Sequence, residues 1–149
     1  MKIVRIKPGP ALDIYSAETS VAIERPFVET GISAGFPSPA DDFAHLSIDL
    51  NKELIKNKEA TFFARVKGHS MQDAGLEDGD LLVIDRSLEP QDGKIAVCFI
   101  DGEFTVKRIK IEKDTVWLVP ANSAYEPIRV TPENQFMIWG VVTAVIKFV

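Results

Sequence analysis

The chain has 149 residues, a length that fits one domain with a short tail. Apolar residues make up 46% of the chain and charged residues 26%, a balance that excludes wholesale disorder and collagen-like structure. The formal charge of −5 argues against nonspecific electrostatic binding to DNA, because such binding needs a basic surface. A single cysteine, Cys98, excludes an internal disulfide, so folding must depend on the apolar core.

The first 40 residues differ in composition from the rest and hold five of the nine prolines. Short β-like pieces occur at residues 3–6 and near Phe27, without a long periodic pattern. Residues 30–39 lack strong helix formers and end in two prolines, which predicts an extended and exposed segment. We therefore expect residues 1–40 to form an extended, flexible N-terminal arm and residues 41–149 to form the folded domain.

One short amphipathic helix is predicted next, with Asp49 or Asn51 available as its N-cap. The apolar residues that recur at helical spacing are Leu46, Leu50, Leu54 and Ile55. From Ala60 onward, short apolar runs separated by glycine, proline and aspartate indicate β-strands. The predicted strands are residues 61–66, 81–84, 95–100, 103–109, 116–119, 128–130 and 136–148. Asp101-Gly102 is a strong hairpin signal, because a type I′ turn needs positive φ at both positions. The pattern predicts a compact, mainly β domain of short strands.

Neither targeting nor metal-binding segments are visible. The start of the chain has no apolar run behind its basic residues, and the apolar stretch at residues 141–146 is too short to span a bilayer. The two histidines and one cysteine lack the spacing of a zinc site, and the acidic stretch at residues 77–80 is predicted to be a turn. We expect a soluble, cytoplasmic protein with no metal, no cofactor and no membrane association.

Ser70 follows a β run and a glycine and precedes a segment able to form one helical turn. Serine is a good N-cap, so a purely structural role is one interpretation. The other is a nucleophile, since free backbone N–H groups at the start of a turn can form an oxyanion hole. The adjacent His69 is a poor base for Ser70, because triads are assembled from residues distant in sequence.

Lys107 lies in a predicted strand, where alternation places it on one face with Thr105 and Ile109. Both faces of the strand mix polar and apolar residues, so periodicity leaves its burial open. A solvated strand lysine is the ordinary case. In an apolar cleft, desolvation would instead lower the pKa of the ammonium group and make a neutral amine available as a base for a serine hydroxyl.

Several segments together resemble the LexA/UmuD family of self-cleaving serine–lysine peptidases. The matching segments are residues 34–42, 48–51, 68–71, 101–108, 122–125 and 140–142. Gly75 and residues 78–80, which follow the third segment, also match. The likeness runs from about Gly31 to the end of the chain. It is specific because all segments occur in order, with the serine and the lysine 37 residues apart.

The resemblance implies the site residues. Ser70 would be the nucleophile, Lys107 the general base, and the backbone N–H groups of Ser70 and Met71 the oxyanion donors. The substrate would be the chain's own bond between Ala34 and Gly35, whose small side chains let an extended backbone pass close to the serine hydroxyl. A tethered substrate gains effective concentration, and activation would shift the population toward the docked arm.

The resemblance also implies a role in the bacterial SOS response. RecA nucleoprotein filaments on single-stranded DNA would promote cleavage. The shortened product would join an error-prone, UmuC-like Y-family DNA polymerase for translesion synthesis. The family acts as a homodimer, and the polymerase sliding clamp is a further candidate partner. No direct sequence-specific DNA binding is expected.

Two departures and three alternatives accompany the resemblance. The junction is Ala–Gly where some members carry Cys–Gly, and the arm before Gly31 has no clear similarity. A LexA-like repressor is one alternative, although about 33 residues before the junction are too few for a winged helix-turn-helix. Signal peptidase uses similar chemistry but needs a membrane anchor. A non-enzymatic polymerase accessory protein with a dormant site is the third.

Overall fold

A computed structural model describes residues 2–7, 9–18, 24–27 and 46–149. The strands are β1 (Lys2–Lys7), β2 (Leu12–Glu18), β3 (Glu24–Phe27), β4 (Leu46–Asp49), β5 (Thr61–Val66), β6 (Leu81–Asp85), β7 (Ile95–Ile100), β8 (Glu103–Glu112), β9 (Thr115–Val119), β10 (Ile128–Arg129) and β11 (Phe136–Ile146). One α-helix, α1 (Leu50–Leu54), and two single 3₁₀ turns, Lys58–Ala60 and Gln72–Ala74, complete the described elements. The mainly β class with one short helix is confirmed.

Nine strands form one antiparallel sheet in the order β1-β2-β5-β6-β11-β7-β8-β9-β10, and β3 pairs with β4 separately. Strand β11 joins the two halves of the sheet, since its first part pairs with β7 and its second part with β6. At the changeover, a Cβ on Gly140 would come within 2.5 Å of Ile84 Cγ2. The close approach of β11 to β6 therefore requires glycine at this position.

The largest apolar cluster lies beneath the loop that follows β5. Leu12 and Ile14 from β2, Ala64 and Val66 from β5, and Met71 from the loop itself are all buried in it. A second cluster packs around Phe63 and Val83, and a third around Cys98 and Ile109. The loop is thus held down by the same core that β2 helps to build.

The sheet extends into the segment expected to be an arm. Strand β2 pairs with β5, and Leu12 and Ile14 are each 1% exposed. The β-like pieces predicted at residues 3–6 and near Phe27 correspond to β1 and β3. Residues 30–39 and the Ala34–Gly35 bond lie outside the described residues, and the boundary at residue 40 stays a prediction.

The strands predicted from Ala60 onward are present with ends that differ by up to three residues. Asp101 and Gly102 have φ of 47° and 90°, as the predicted type I′ turn requires. The helix is shorter than its apolar spacing indicated. Leu46 lies in β4, where pairing with Phe27 of β3 holds the backbone extended. Asp49 caps the helix by accepting a hydrogen bond from the Asn51 N–H at 3.0 Å.

Within the described ranges, no helix is long and apolar enough to cross a membrane.

Candidate active site

A loop after β5 carries Ser70 between a glycine and a buried methionine. Gly68 has φ of +88° and donates its N–H to the Asp78 carboxylate at 2.8 Å. Met71 is 1% exposed and begins the 3₁₀ turn as its N-cap residue, without a side-chain cap. The interpretation of Ser70 as a helix cap is therefore wrong. Its hydroxyl is free of the turn and faces another strand.

That strand is β8, and the residue opposite Ser70 is Lys107. The Nζ of Lys107 lies 3.0 Å from Ser70 Oγ, 2.8 Å from Thr105 Oγ1 and 3.1 Å from the Val106 carbonyl oxygen. Lys107 is only 7% exposed. A solvated strand lysine is therefore excluded, and the two residues 37 positions apart meet within hydrogen-bond distance.

Burial sets the electrostatics of this lysine. It lowers the pKa of Lys107 below the ordinary lysine value, and the neighbouring Cys98 opposes the shift. Cys98 is itself a buried core residue, as expected, and burial raises the pKa of its thiol to about 12. Among the described residues, no carboxylate forms an ion pair with Lys107. The environment therefore makes the ammonium form less favourable than it is for a lysine in water.

Residues 121–122 fix the orientation of the Ser70 loop. Asn122 Nδ2 donates to the His69 carbonyl at 2.8 Å, and the Ala121 N–H donates to the Ser70 carbonyl at 2.8 Å. The C=O and N–H of a trans peptide unit point in opposite directions. The N–H groups of Ser70 and Met71 therefore point away from residues 121–122. Neither donates a hydrogen bond to any residue that the structure describes.

An open cleft of about 390 Å³ gives access to Ser70 and Lys107. Its walls come from the Ser70 loop, the first half of β8, residues 125–128, and Pro10 and Ala11 just before β2. His69 is exposed at the rim, and in the described part of the chain its ring makes no hydrogen bond to Ser70. A histidine-based triad gains no support. The cleft is large enough for a few residues of extended peptide.

Three contributors to this site were not predicted. Strand alternation placed Thr105 on the same face as Lys107, but no role was predicted for its hydroxyl, which lies 2.8 Å from the amine. Asn122 was noted only as part of a matching segment, although its side chain also accepts the Ala124 N–H, a turn habit of asparagine. Nothing in the sequence indicated that Ala11 lines the cleft, because residues 1–40 showed no long periodic pattern. The predicted cleavage residues, Ala34 and Gly35, are not among the described residues.

No group of three or more histidine, cysteine, aspartate or glutamate side chains within the described ranges is arranged to hold a metal ion. The site consists of a hydroxyl, an amine and backbone N–H groups.

Known proteins share much of this sequence. The model of the Peptidase S24-like family matches residues 26–143. The chain belongs to this family. It is 48% identical over 122 residues to the protein ImpA of Salmonella typhimurium, covering 82% of this chain and 83% of ImpA. It is 40% identical over 134 residues to the protein MucA of Escherichia coli, covering 89% of this chain and 91% of MucA. A LexA repressor from Alcanivorax borkumensis is 39% identical over 116 residues, or 78% of this chain and 56% of that repressor. The resemblance to the LexA/UmuD family is confirmed.

Proposed function

We propose that this protein is a self-cleaving serine peptidase that cuts its own Ala34–Gly35 bond with Ser70 as nucleophile and Lys107 as general base. The observation that carries the proposal is the 3.0 Å distance between Ser70 Oγ and a buried Lys107 Nζ. Membership of a peptidase family supports the same chemistry. A buried amine next to a hydroxyl in an open cleft is the arrangement that serine–lysine catalysis needs.

The proposed proton movements use these contacts. The Ser70 O–H donates to the lone pair of neutral Lys107, and Oγ attacks the Ala34 carbonyl carbon as the proton transfers to Nζ. The oxyanion of the tetrahedral intermediate accepts the Ser70 and Met71 N–H groups. Collapse breaks the C–N bond, and the Lys107 ammonium gives its proton to the Gly35 amine that leaves. Water, activated by the neutral lysine, then hydrolyses the ester on Ser70.

The biological setting is proposed from the family. Cleavage would respond to RecA filaments on single-stranded DNA during the SOS response. The processed, homodimeric product would serve an error-prone Y-family polymerase, with the sliding clamp as a further partner. ImpA, MucA and the LexA repressor support a place among SOS-related proteins.

The test is the intact mass of the purified chain during incubation at pH 7 and at about pH 10, where more lysine is neutral. We expect a single cut between Ala34 and Gly35 that is faster at the higher pH. Ser70→Ala should abolish the cut, and Lys107→Ala should slow it by about 10² or more, the usual contribution of a general base.

Lys110→Ala is the matched control, because Lys110 lies on the same strand but its side chain is 57% exposed. It should cleave at the wild-type rate. If no cut occurs, RecA, single-stranded DNA and nucleotide are added. Continued absence of cleavage, or wild-type cleavage by Lys107→Ala, would contradict the proposal and favour a non-enzymatic accessory protein.

A further inference from the structure

Strand β2 precedes the bond proposed to be cut, yet it belongs to the main sheet. Its residues pair antiparallel with β5 over five positions, from Leu12 opposite Val66 to Ser16 opposite Phe62. The other edge of β5 pairs with β6. Without β2, one edge of β5 would lose its backbone partners.

Both faces of β2 are packed. Leu12 and Ile14 are 1% exposed and lie in the cluster beneath the Ser70 loop. Tyr15 and Ala17 point to the opposite face and pack against the cluster around Phe63. A strand with apolar contacts on both faces is an interior part of a sheet, and its removal would uncover two clusters at once.

Polar contacts fix the start of the strand beside the cleft. The Lys67 N–H donates to the Ala11 carbonyl at 2.9 Å. The Lys67 Nζ contacts the Asp13 carboxylate at 2.9 Å and the Gly9 carbonyl at 3.0 Å. These bonds join residues 9–13 to the residue three positions before Ser70. Cutting at residue 34 would break none of them.

We propose that the fragment of residues 1–34 stays bound after cleavage, with β2 still inserted against β5. The cut itself rests on the proposed function, whereas the retention rests on the contacts of β2. The processed protein is then a nicked molecule of two pieces. The edge of β5 is the binding surface, its ligand is an extended segment with apolar residues on both faces, and Pro10 and Ala11 remain in the wall of the cleft.

The experiment uses the full chain with Ser70→Ala, so that its own chemistry plays no part. A recognition sequence for a site-specific protease, flanked by glycine spacers, is placed between Ala34 and Gly35. After complete cutting, gel filtration and native mass spectrometry should show both pieces together in equal amounts. Elution of residues 35–149 alone, with the small fragment separate, would overturn the inference.

A pair of substitutions tests the contacts. Ile14→Asp places a charge in the core and should reduce the retained fragment by about tenfold or more. Ile111→Asp makes the same change at a residue of β8 that is 40% exposed, and should leave retention unchanged. Circular dichroism of the uncut chain checks folding, and if Ile14→Asp unfolds it, Ile14→Ala takes its place. Equal retention by the Ile14 variant and the control would also overturn the inference.

The two proposals fail separately. If the unmodified chain does not cut itself, the proposed function fails, while the nicked Ser70→Ala chain still reports retention. If the unmodified chain cuts itself and the fragment departs, only the retention is wrong.

Discussion

Three oxygens surround Lys107 Nζ, and in the neutral amine of the proposed mechanism they would fix its orientation. A neutral primary amine has two N–H donors and one lone pair. The Val106 carbonyl can only accept a hydrogen bond, and Thr105 Oγ1 lies at 2.8 Å as a second acceptor. The lone pair is then left for the Ser70 hydroxyl at 3.0 Å. In the proposed mechanism, Thr105 would be a positioning residue that turns the lone pair toward Ser70.

Replacing Thr105 with valine tests this orientation. The side chain keeps its shape but loses the acceptor, so self-cleavage should slow by about five- to tenfold, the effect of one hydrogen bond. Rates come from intact-mass time courses between pH 7 and pH 10. Thr105→Ser should restore the rate, and Thr131→Val, which removes a hydroxyl bonded to Asn134, should not change it. A wild-type rate and pH profile for Thr105→Val would contradict the role.

The element that presents Ser70 is an irregular loop, and a neighbouring segment fixes its geometry. Residues 121–122 hold the carbonyl groups of His69 and Ser70, and the Asp73 N–H donates back to the Ala121 carbonyl at 2.8 Å. The 3₁₀ turn after Ser70 is too short to hold its own direction. The position of the two N–H groups proposed as oxyanion donors thus depends on a segment about 50 residues away in sequence.

Asn122→Asp removes the donor to His69 but keeps an oxygen for the Ala124 N–H. A carboxylate next to a carbonyl oxygen should displace the loop, and self-cleavage should fall by about tenfold to 10², the effect of a misplaced reacting group. The melting temperature of the chain should change little, because Asn122 is on the surface side of the loop and only half-buried.

Asn134→Ala is the matched control, since Asn134 makes similar turn contacts, to Thr131 and to Asp101, that do not involve the Ser70 loop. Its self-cleavage rate should equal that of the unmodified chain. Equal rates for Asn122→Asp and the control would show that the hydrogen bond from Asn122 to His69 has no part in catalysis.

Strands and turns with a clear local sequence pattern were predictable. Elements whose conformation depends on pairing with strands distant in sequence were not. The hairpin of β7 and β8 follows from two apolar runs around Asp101-Gly102. Leu46 fits helical spacing with Leu50, but pairing with β3 places it in a strand. Strand β2 alternates weakly, with apolar residues on both faces, and only the tertiary structure shows that it completes the sheet.

At the scale of the molecule, the candidate site brings together Ser70 and Lys107, which local sequence patterns alone did not pair. Periodicity left the burial of Lys107 open, and the cap interpretation of Ser70 was equally available. Only the order of the matching segments indicated the pair, and only the curled sheet brings the two residues within 3.0 Å. The missing information was long-range strand pairing, which sequence patterns encode poorly.

Two buried carboxylates predict how the stability of the whole molecule depends on pH. Burial alone would raise the pKa of Asp80 and of Asp85. Lys147 and the Glu77 N–H outweigh burial at Asp80, and Ser87 and Asn57 outweigh it at Asp85, so both pKa values are lowered. Each ionised carboxylate therefore stabilises the fold above the ordinary aspartate pKa of about 3.9. That stability is lost as the pH falls from this value through the lower, folded pKa.

Urea unfolding between pH 7 and pH 2.5 should show a midpoint that falls steeply below about pH 4. Asp85→Asn should lower the free energy of unfolding by about 1–3 kcal/mol at pH 7, since hydrogen bonds to a charged group are lost. It should also make the fall in the midpoint below about pH 4 shallower. Asp114→Asn, at an exposed turn, should leave the curve unchanged. If Asp85→Asn shows the same fall in midpoint below about pH 4 as the unmodified chain, then protonation of this carboxylate does not affect the stability of the fold. The Asp85 carboxylate accepts hydrogen bonds from Asn57 Nδ2 and from the N–H and O–H of Ser87, so its replacement loosens the segments before β5 and after β6.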